Sequence, residues 1–216
     1  MTRQIKLFRL IAFLVTLSVP ALAAAHSPAT TASDKNVTKQ SAFQSAMRML
    51  WEDHIVWTRQ FIVSAVADTP DKAAVTNRLL QNQVDIGNAI KPFYGDEAGE
   101  KLTMLLKEHI TTAAEVVASA KANDTTKLED ARKRWNANSD EIATFLSNAN
   151  PQAWPLAEMK KMMREHLDLT TAEAVARLQG DWLADIAAYD KVHTQILHMA
   201  DMLSAGIISQ FPKKFD

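Results

Sequence analysis

Residues 47–61 of the chain read MRMLWEDHIVWTRQF, and this stretch decides the fold class. Its large apolar residues recur at alternating intervals of three and four, which is the spacing of one face of an α-helix. That face, extended backwards by one turn, consists of Phe43, Met47, Leu50, Trp57 and Phe61. His54 lies in the middle of the same face, where another large apolar residue would be expected. The stretch therefore predicts a helix that buries one polar group at its centre.

The rest of the chain repeats this pattern in further helices. Helix caps, prolines and turn residues predict long helices at about 41–67, 71–91, 96–121, 126–148 and 170–210, with a short helix at about 155–167. Thr170 and Glu173 form a capping-box pattern that would start the last helix. No strand pattern and no internal repeat is apparent. The sequence therefore predicts an all-α protein, an antiparallel, up-and-down bundle of about five long helices and one short one, over residues 41–216.

The N-terminal residues have the features of a cleaved signal peptide. A basic segment with Arg3, Lys6 and Arg9 precedes an apolar run at 10–19 and small residues that suit cleavage after Ala23 or Ala25. Residues 1–25 are therefore predicted to be removed, and residues 26–40, rich in Ser, Thr and Ala, to form a flexible leader. The expected location of the mature protein is the periplasm or the extracellular medium.

Composition excludes several classes of function. Removing residues 1–25 leaves 21 Lys+Arg against 25 Asp+Glu, a net charge of −4, so a basic nucleic-acid-binding surface is not expected. Cysteine is absent, which excludes disulfides, thiolate metal sites and a catalytic thiol. No second long apolar segment follows the signal peptide, so no permanent membrane anchor is expected. The sequence identifies no catalytic residue and no site for an organic cofactor.

Each long helix carries one polar residue within its apolar face. These residues are His54, Asn82, His109, Asn138 and Asp185. Because the midpoints of the helices meet at one level in an up-and-down bundle, we expect these side chains to converge, with His166 joining them from the short helix. Imidazoles combined with a carboxylate suit Zn²⁺ or Cu²⁺. The predicted ligands are His54, His109, His166 and Asp185, supported by Asn82, Asn138, Trp51 and Trp57.

Two other interpretations fit the same polar layer. It could be a metal-free hydrogen-bonded network in a structural or interaction bundle, which fixes how the helices align, because an unpaired buried polar group costs about 1–3 kcal/mol. Alternatively, a bound ion with an open coordination position would make the protein a metal-dependent hydrolase or oxidase. A ferritin-like di-iron site is excluded, since no Glu-x-x-His pair is present.

Several short motifs resemble a family of small bacterial helical proteins. They are LWExHxxWTR (50–59), RLLQN (78–82), FYG (93–95), EH (108–109) and MAD (199–201), and the resemblance extends over most of the chain after residue 50. Members have been labelled glycosyltransferase or acetylglutamate kinase, but no nucleotide-binding motif here supports either activity. The resemblance implies that His54, His109 and His166 belong to the family pattern. It also implies that His193 and His198 do not. The leading hypothesis is therefore binding, buffering or sensing of copper or zinc.

Overall fold

The computed structural model describes residues 32–216, with side chains from residue 38 onwards. The predicted signal peptide and the first residues of the predicted leader lie outside this range. The helices are α1 (Ala32–Ala67), α2 (Lys72–Tyr94), α3 (Asp96–Lys121), α4 (Thr125–Ala149), α5 (Leu156–Gln179) and α6 (Trp182–Gln210), followed by a 3₁₀ turn at Pro212–Lys214. Residues 32–216 contain no strand. The predicted all-α bundle is confirmed.

The six helices form a closed ring. Connections of one to six residues join consecutive helices, so each helix runs antiparallel to the next and packs against it. α1 also packs against α6, which closes the ring, and it contacts α3 and α5. Since helices with odd numbers point in the same direction, the chain consists of three helical hairpins: α1–α2, α3–α4 and α5–α6. None of the helices within residues 32–216 is long and apolar enough to cross a membrane.

The predicted boundary between the last two helices is wrong. α5 is a long helix that continues to Gln179, and Thr170 and Glu173 are buried inside it instead of capping a new helix. The break comes at Gly180, whose positive φ of 71° suits glycine. Asp181 then caps α6 by accepting a hydrogen bond from the backbone N–H of Ala184 at 3.0 Å. The capping-box prediction fails because the carboxylate of Glu173 makes its contacts elsewhere in the bundle.

Two further helix ends differ from the prediction. α1 begins at Ala32, nine residues before the expected cap at Ser41, because residues 32–40 contain neither proline nor glycine to prevent helix formation. α2 passes through Pro92 and ends at Tyr94, so the turn consists of Gly95 alone. Pro92 removes one backbone hydrogen bond, and the helix ends two residues after it.

Candidate functional site

Three histidines from three different helices meet in the core. His54 on α1, His109 on α3 and His166 on α5 are each at most 5% exposed. The ring centroid of His166 lies 5.8 Å from that of His54 and 6.4 Å from that of His109. The three imidazoles therefore form one group at the level where the helices with odd numbers approach each other.

The imidazoles border an internal cavity of about 40 Å³. The cavity lining is otherwise almost entirely apolar and includes the side chains of Met47, Met163 and Met199. Within the described residues, no carboxylate, lysine or arginine lines it. The histidine group is thus polar but uncharged, and apolar side chains of the core surround it.

Asn138 on α4 fixes the orientation of His109. The amide Nδ2 of Asn138 donates to the backbone carbonyl of Leu105 at 3.0 Å, so its Oδ1 faces Nδ1 of His109 at 2.9 Å. An amide oxygen can only accept, and Nδ1 must therefore carry the proton. The unprotonated Nε2 of His109 accepts a hydrogen bond from the indole Nε1 of Trp135 at 3.3 Å. Both ring nitrogens of His109 are consequently hydrogen-bonded.

Gln195 on α6 holds His166 in the same way. Its Nε2 donates to the backbone carbonyl of Met162 at 3.3 Å, and its Oε1 lies 3.1 Å from Nδ1 of His166. His166 therefore also carries its proton on Nδ1 and leaves Nε2 unprotonated. The two arrangements share a spacing, because each amide residue follows its histidine by 29 positions and binds the carbonyl four positions before that histidine.

The first hairpin has the same spacing, but two residues, Asn82 and Gln83, occupy the place that one amide residue occupies in each of the other hairpins. Asn82 donates to the carbonyl of Leu50, four positions before His54, at 3.0 Å. Gln83 follows His54 by 29 positions, and its Nε2 donates to the carbonyl of Leu79 at 2.8 Å. Within the described part of the chain, neither Oε1 of Gln83 nor Nδ1 of His54 has a hydrogen-bond partner. This hairpin therefore provides the one imidazole whose proton is not fixed on Nδ1 by an amide.

The three hairpins are thus structural repeats of one another, a feature that helical periodicity did not predict. Gln83 and Gln195 were not predicted either. The signal that could have found them is the constant spacing of 29 positions between a buried histidine and an amide side chain. Such a spacing is what one helical hairpin with a short turn produces when both residues lie at the same level.

All three imidazoles are neutral at neutral pH. Burial lowers their pKa values, well below the ordinary range for His54 and to about 3 for His109. Burial also lowers the pKa of His166, against the opposing effect of its hydrogen bond with Gln195. Charge repulsion from the neighbouring imidazoles contributes to the lowered pKa values of His54 and His109. Neutral imidazole is the form that binds metal ions.

The two tryptophans predicted to support the site have different surroundings. The ring of Trp51 meets that of His54 edge-on at 5.7 Å, and its buried Nε1 has no hydrogen-bond partner among the described residues. Trp57 instead packs under the guanidinium group of Arg78, with 5.2 Å between the Arg78 Cζ atom and the ring centroid. Of these two tryptophans, only Trp51 is therefore in contact with the histidine group.

Asp185 lies outside the histidine group, contrary to the expectation that it would complete a ligand set. Arg59 binds its carboxylate with two hydrogen bonds of 2.9 and 3.1 Å, and Arg177 adds an ion pair at 3.2 Å. The expectation placed Asp185 partway along a helix from 170 to 210. Because α6 begins at Trp182, its middle is at Gln195, which is about 15 Å further along the helix axis.

Glu173 completes this second buried cluster. Its carboxylate accepts a hydrogen bond from Arg59 at 2.7 Å, and its side chain is only 2% exposed. Burial raises the pKa of Glu173 to about 7, although the charge of Arg59 opposes that rise. The cluster combines two arginines with two carboxylates and is accordingly close to electrical balance.

Within residues 32–216, no three His, Asp or Glu side chains stand ready to hold one metal ion in their present conformations. The orientation of His109 is one reason, because its Nε2 faces Trp135 and not the other two imidazoles. Comparisons of the chain with protein-family models, with curated proteins and with solved structures gave no match.

Proposed function

We propose that the protein is an exported helical bundle that binds one transition-metal ion, copper or zinc, through His54, His109 and His166. The observation that carries this proposal is the convergence of three neutral imidazoles on one cavity. The predicted signal peptide supports export. Binding, buffering or sensing of the ion is the corresponding role.

The hydrogen bonds around the imidazoles favour this function. Histidines that bind metals usually donate their second N–H group to an oxygen acceptor, which fixes the ring and leaves the other nitrogen free to bind the ion. Asn138 and Gln195 provide such acceptors for His109 and His166. Gln83 has an unpaired oxygen in the equivalent position for His54. Binding through Nε2 of His54 would place a proton on its Nδ1 and give both atoms a partner.

The distances between the rings are close to those of a metal site. A metal–nitrogen bond of about 2.0–2.1 Å places the centroids of two imidazoles on one ion about 5–6 Å apart. The separation between His54 and His166 is 5.8 Å, and that between His109 and His166 is 6.4 Å. Closing the site would require the His109 ring to turn, because its Nε2 faces Trp135.

Trp135 must release His109 before His109 can bind an ion. A neutral hydrogen bond contributes about 0.5–1.5 kcal/mol, whereas even micromolar binding of an ion contributes about 8 kcal/mol. The metal therefore prevails in this competition. Trp135 also borders a second cavity of about 50 Å³, which provides space for its indole ring to move.

A binding role is better supported than an enzymatic one. A metal-dependent hydrolase or oxidase needs room for water and substrate beside the ion. The cavity of about 40 Å³ has room for water but is far smaller than the pockets of about 300–1,000 Å³ that hold organic substrates. The hydrolase or oxidase alternative accordingly remains second to binding.

A metal-free role is the other candidate, and the hydrogen bonds of His109 favour it. Both ring nitrogens of His109 have partners without any ion. In that case the repeated histidine–amide pairs would serve to align the two helices of each hairpin. Metal analysis distinguishes the two candidates.

The test is the metal content of the mature, untagged protein after incubation with copper or zinc and removal of excess ion. We expect about one ion per chain and a raised melting temperature, since a ligand that binds only the folded state stabilises it. The single variants His54→Asn, His109→Asn and His166→Asn should each bind at least tenfold more weakly. The control is the double variant His193→Ala/His198→Ala, which removes histidines outside the cavity.

Circular dichroism would establish that each single variant is folded before its metal content is compared. Absence of bound metal in the folded wild-type protein, with an unchanged melting temperature, would overturn the proposal and favour the metal-free role. Equal binding by the wild type and all three folded single variants would overturn the assignment of the ligands.

A further inference from the structure

The histidine group offers no negative charge to a bound ion. The carboxylates of Asp185 and Glu173 are engaged with Arg59, and none of the side chains that line the cavity is acidic. In a medium of low polarity, the cost of removing an ion from water rises with the square of its charge. A dication bound by three neutral imidazoles would therefore face about four times the desolvation cost of a monocation.

The cavity instead offers soft sulfur atoms. The buried side chains of Met47, Met163 and Met199 line it together with the three imidazoles. Thioether sulfur favours copper(I), whereas zinc(II) in proteins binds thiolate, imidazole and carboxylate groups. Met163 precedes His166 by three positions and therefore lies on the same face of α5.

From these two observations we infer that the physiological ligand of this site is copper(I), a soft monovalent cation, and that zinc(II) binds much more weakly. The inference rests on the proposed function, because it specifies the ion that the same three histidines hold. Met163 and Met199 become specificity-determining residues of the site.

The test uses silver(I), which has the charge and softness of copper(I) but does not undergo redox chemistry under these conditions. Mature protein with ¹³C-labelled methionine methyl groups would be titrated separately with silver(I) and with zinc(II). We expect silver(I) to bind with 1:1 stoichiometry and at least 100-fold more tightly than zinc(II). The methyl signals of Met163 or Met199 should shift. Met49 and Met104, which are 63% and 60% exposed, provide internal controls for nonspecific binding to methionine.

A variant with Met163→Leu and Met199→Leu tests the sulfur ligands directly. Exchange between methionine and leucine conserves volume and usually costs less than about 1.5 kcal/mol, so the variant should fold. We expect at least a tenfold loss of silver(I) affinity and no loss of zinc(II) affinity. The matched control, Met49→Leu with Met104→Leu, should bind silver(I) as the wild type does.

The outcomes separate the two proposals. Equal or tighter binding of zinc(II), abolished by the histidine variants, would overturn the preference for copper(I) while leaving the metal site in place. Silver(I) binding that shifts only the exposed methionines, or that survives leucine substitution of Met47 together with Met163 and Met199, would also overturn the preference. Failure of both ions to bind the histidines would overturn the proposed function itself.

Discussion

Nδ1 of His54 and Oε1 of Gln83 are buried in the first hairpin and neither makes a hydrogen bond of normal geometry among the described residues, although Gln83 is close enough to oppose the lowering of the His54 pKa. The matching atoms of the other two hairpins lie 2.9 and 3.1 Å apart, between His109 and Asn138 and between His166 and Gln195. The first hairpin is therefore the incomplete member of the set. An incomplete pair in an otherwise satisfied layer is where a ligand would add the most.

Replacing the three amide residues should have unequal effects on stability. Asn138→Leu removes the partner of a buried N–H group and should cost about 2–3 kcal/mol, and Gln195→Met should cost a similar amount for the same reason. Gln83→Met should cost less, about 1 kcal/mol, because Gln83 makes no hydrogen bond of normal geometry to His54 and the variant loses only the bonds from its Nε2 to Leu79 and Asn82. Urea denaturation of the three variants measures these differences. An equal cost for all three would contradict the described asymmetry.

Acid should destabilise the bundle. The pKa values of His54, His109 and His166 are lowered by folding, so the unfolded chain binds more protons than the folded one once the pH falls below about 6.5. The contribution of the neutral imidazoles to the free energy of unfolding is therefore fully present above about pH 6.5. It is lost as the pH falls, over a window that reaches about 3 for His109. Each histidine contributes a slope of at most about 1.4 kcal/mol per pH unit.

The pH dependence of unfolding free energy should become shallower in His109→Gln, by about 1.4 kcal/mol per pH unit between about pH 6 and pH 4. Glu173 acts in the opposite direction, because its pKa is raised to about 7 and the folded state binds its proton more tightly. That contribution is present at low pH and is lost as the pH rises towards 7. Glu173→Gln should therefore steepen the acid-induced loss of stability, and an unchanged slope in both variants would contradict these assignments.

The arginine–carboxylate cluster should affect stability but not metal binding. Arg59→Met leaves the side chains of Glu173 and Asp185, which are 2% and 1% exposed, without their main cationic partner. Loss of one member of a buried ion pair costs about 3–5 kcal/mol, so a large drop in urea midpoint is expected. Asp185→Asn should leave the metal stoichiometry at its wild-type value. Loss of the ion in a folded Asp185→Asn variant would restore Asp185 as a ligand.

Trp135→Phe should strengthen metal binding. The variant removes the N–H group that occupies Nε2 of His109, so the ion no longer competes with that hydrogen bond. A bond of about 0.5–1.5 kcal/mol corresponds to a gain of about two- to tenfold in affinity. Titration with silver(I) measures the change, and Trp154→Phe is the comparison because Trp154 lines the cavity without bonding to an imidazole. Weaker binding by Trp135→Phe would contradict the described competition.

Helical periodicity was sufficient to predict the fold and most of the buried polar layer. His54, His109 and Asn138 lie on apolar faces that the sequence shows directly, and each is buried at the expected level. Gln195 escaped prediction because it lies beside the apolar face that runs through Val192 and Ile196, and because α6 was predicted to begin at 170 and begins at Trp182. The level of a residue in a bundle depends on both ends of its helix, whereas its face depends only on local spacing.

Contacts between distant residues were not predictable in this way. Arg59 binds Asp185 across 126 positions of sequence, and nothing in the spacing of either helix indicates that pairing. Gln83 is adjacent to Asn82, and periodicity alone does not indicate that these two consecutive residues together occupy the place of a single amide residue in the other hairpins. Such contacts arise from the packing of the six helices against one another in the closed ring.

The closed ring brings the first turns of α1 beside the residues that follow α6. Lys39 on α1 donates a hydrogen bond to the backbone of Asp216, so a short peptide could join these two regions and the chain could be opened at Gly95, between α2 and α3. Every histidine would still share an uninterrupted hairpin with its amide residue. The molecule is therefore suited to circular permutation, because its central layer depends on the hairpins themselves and not on the order in which the chain connects them.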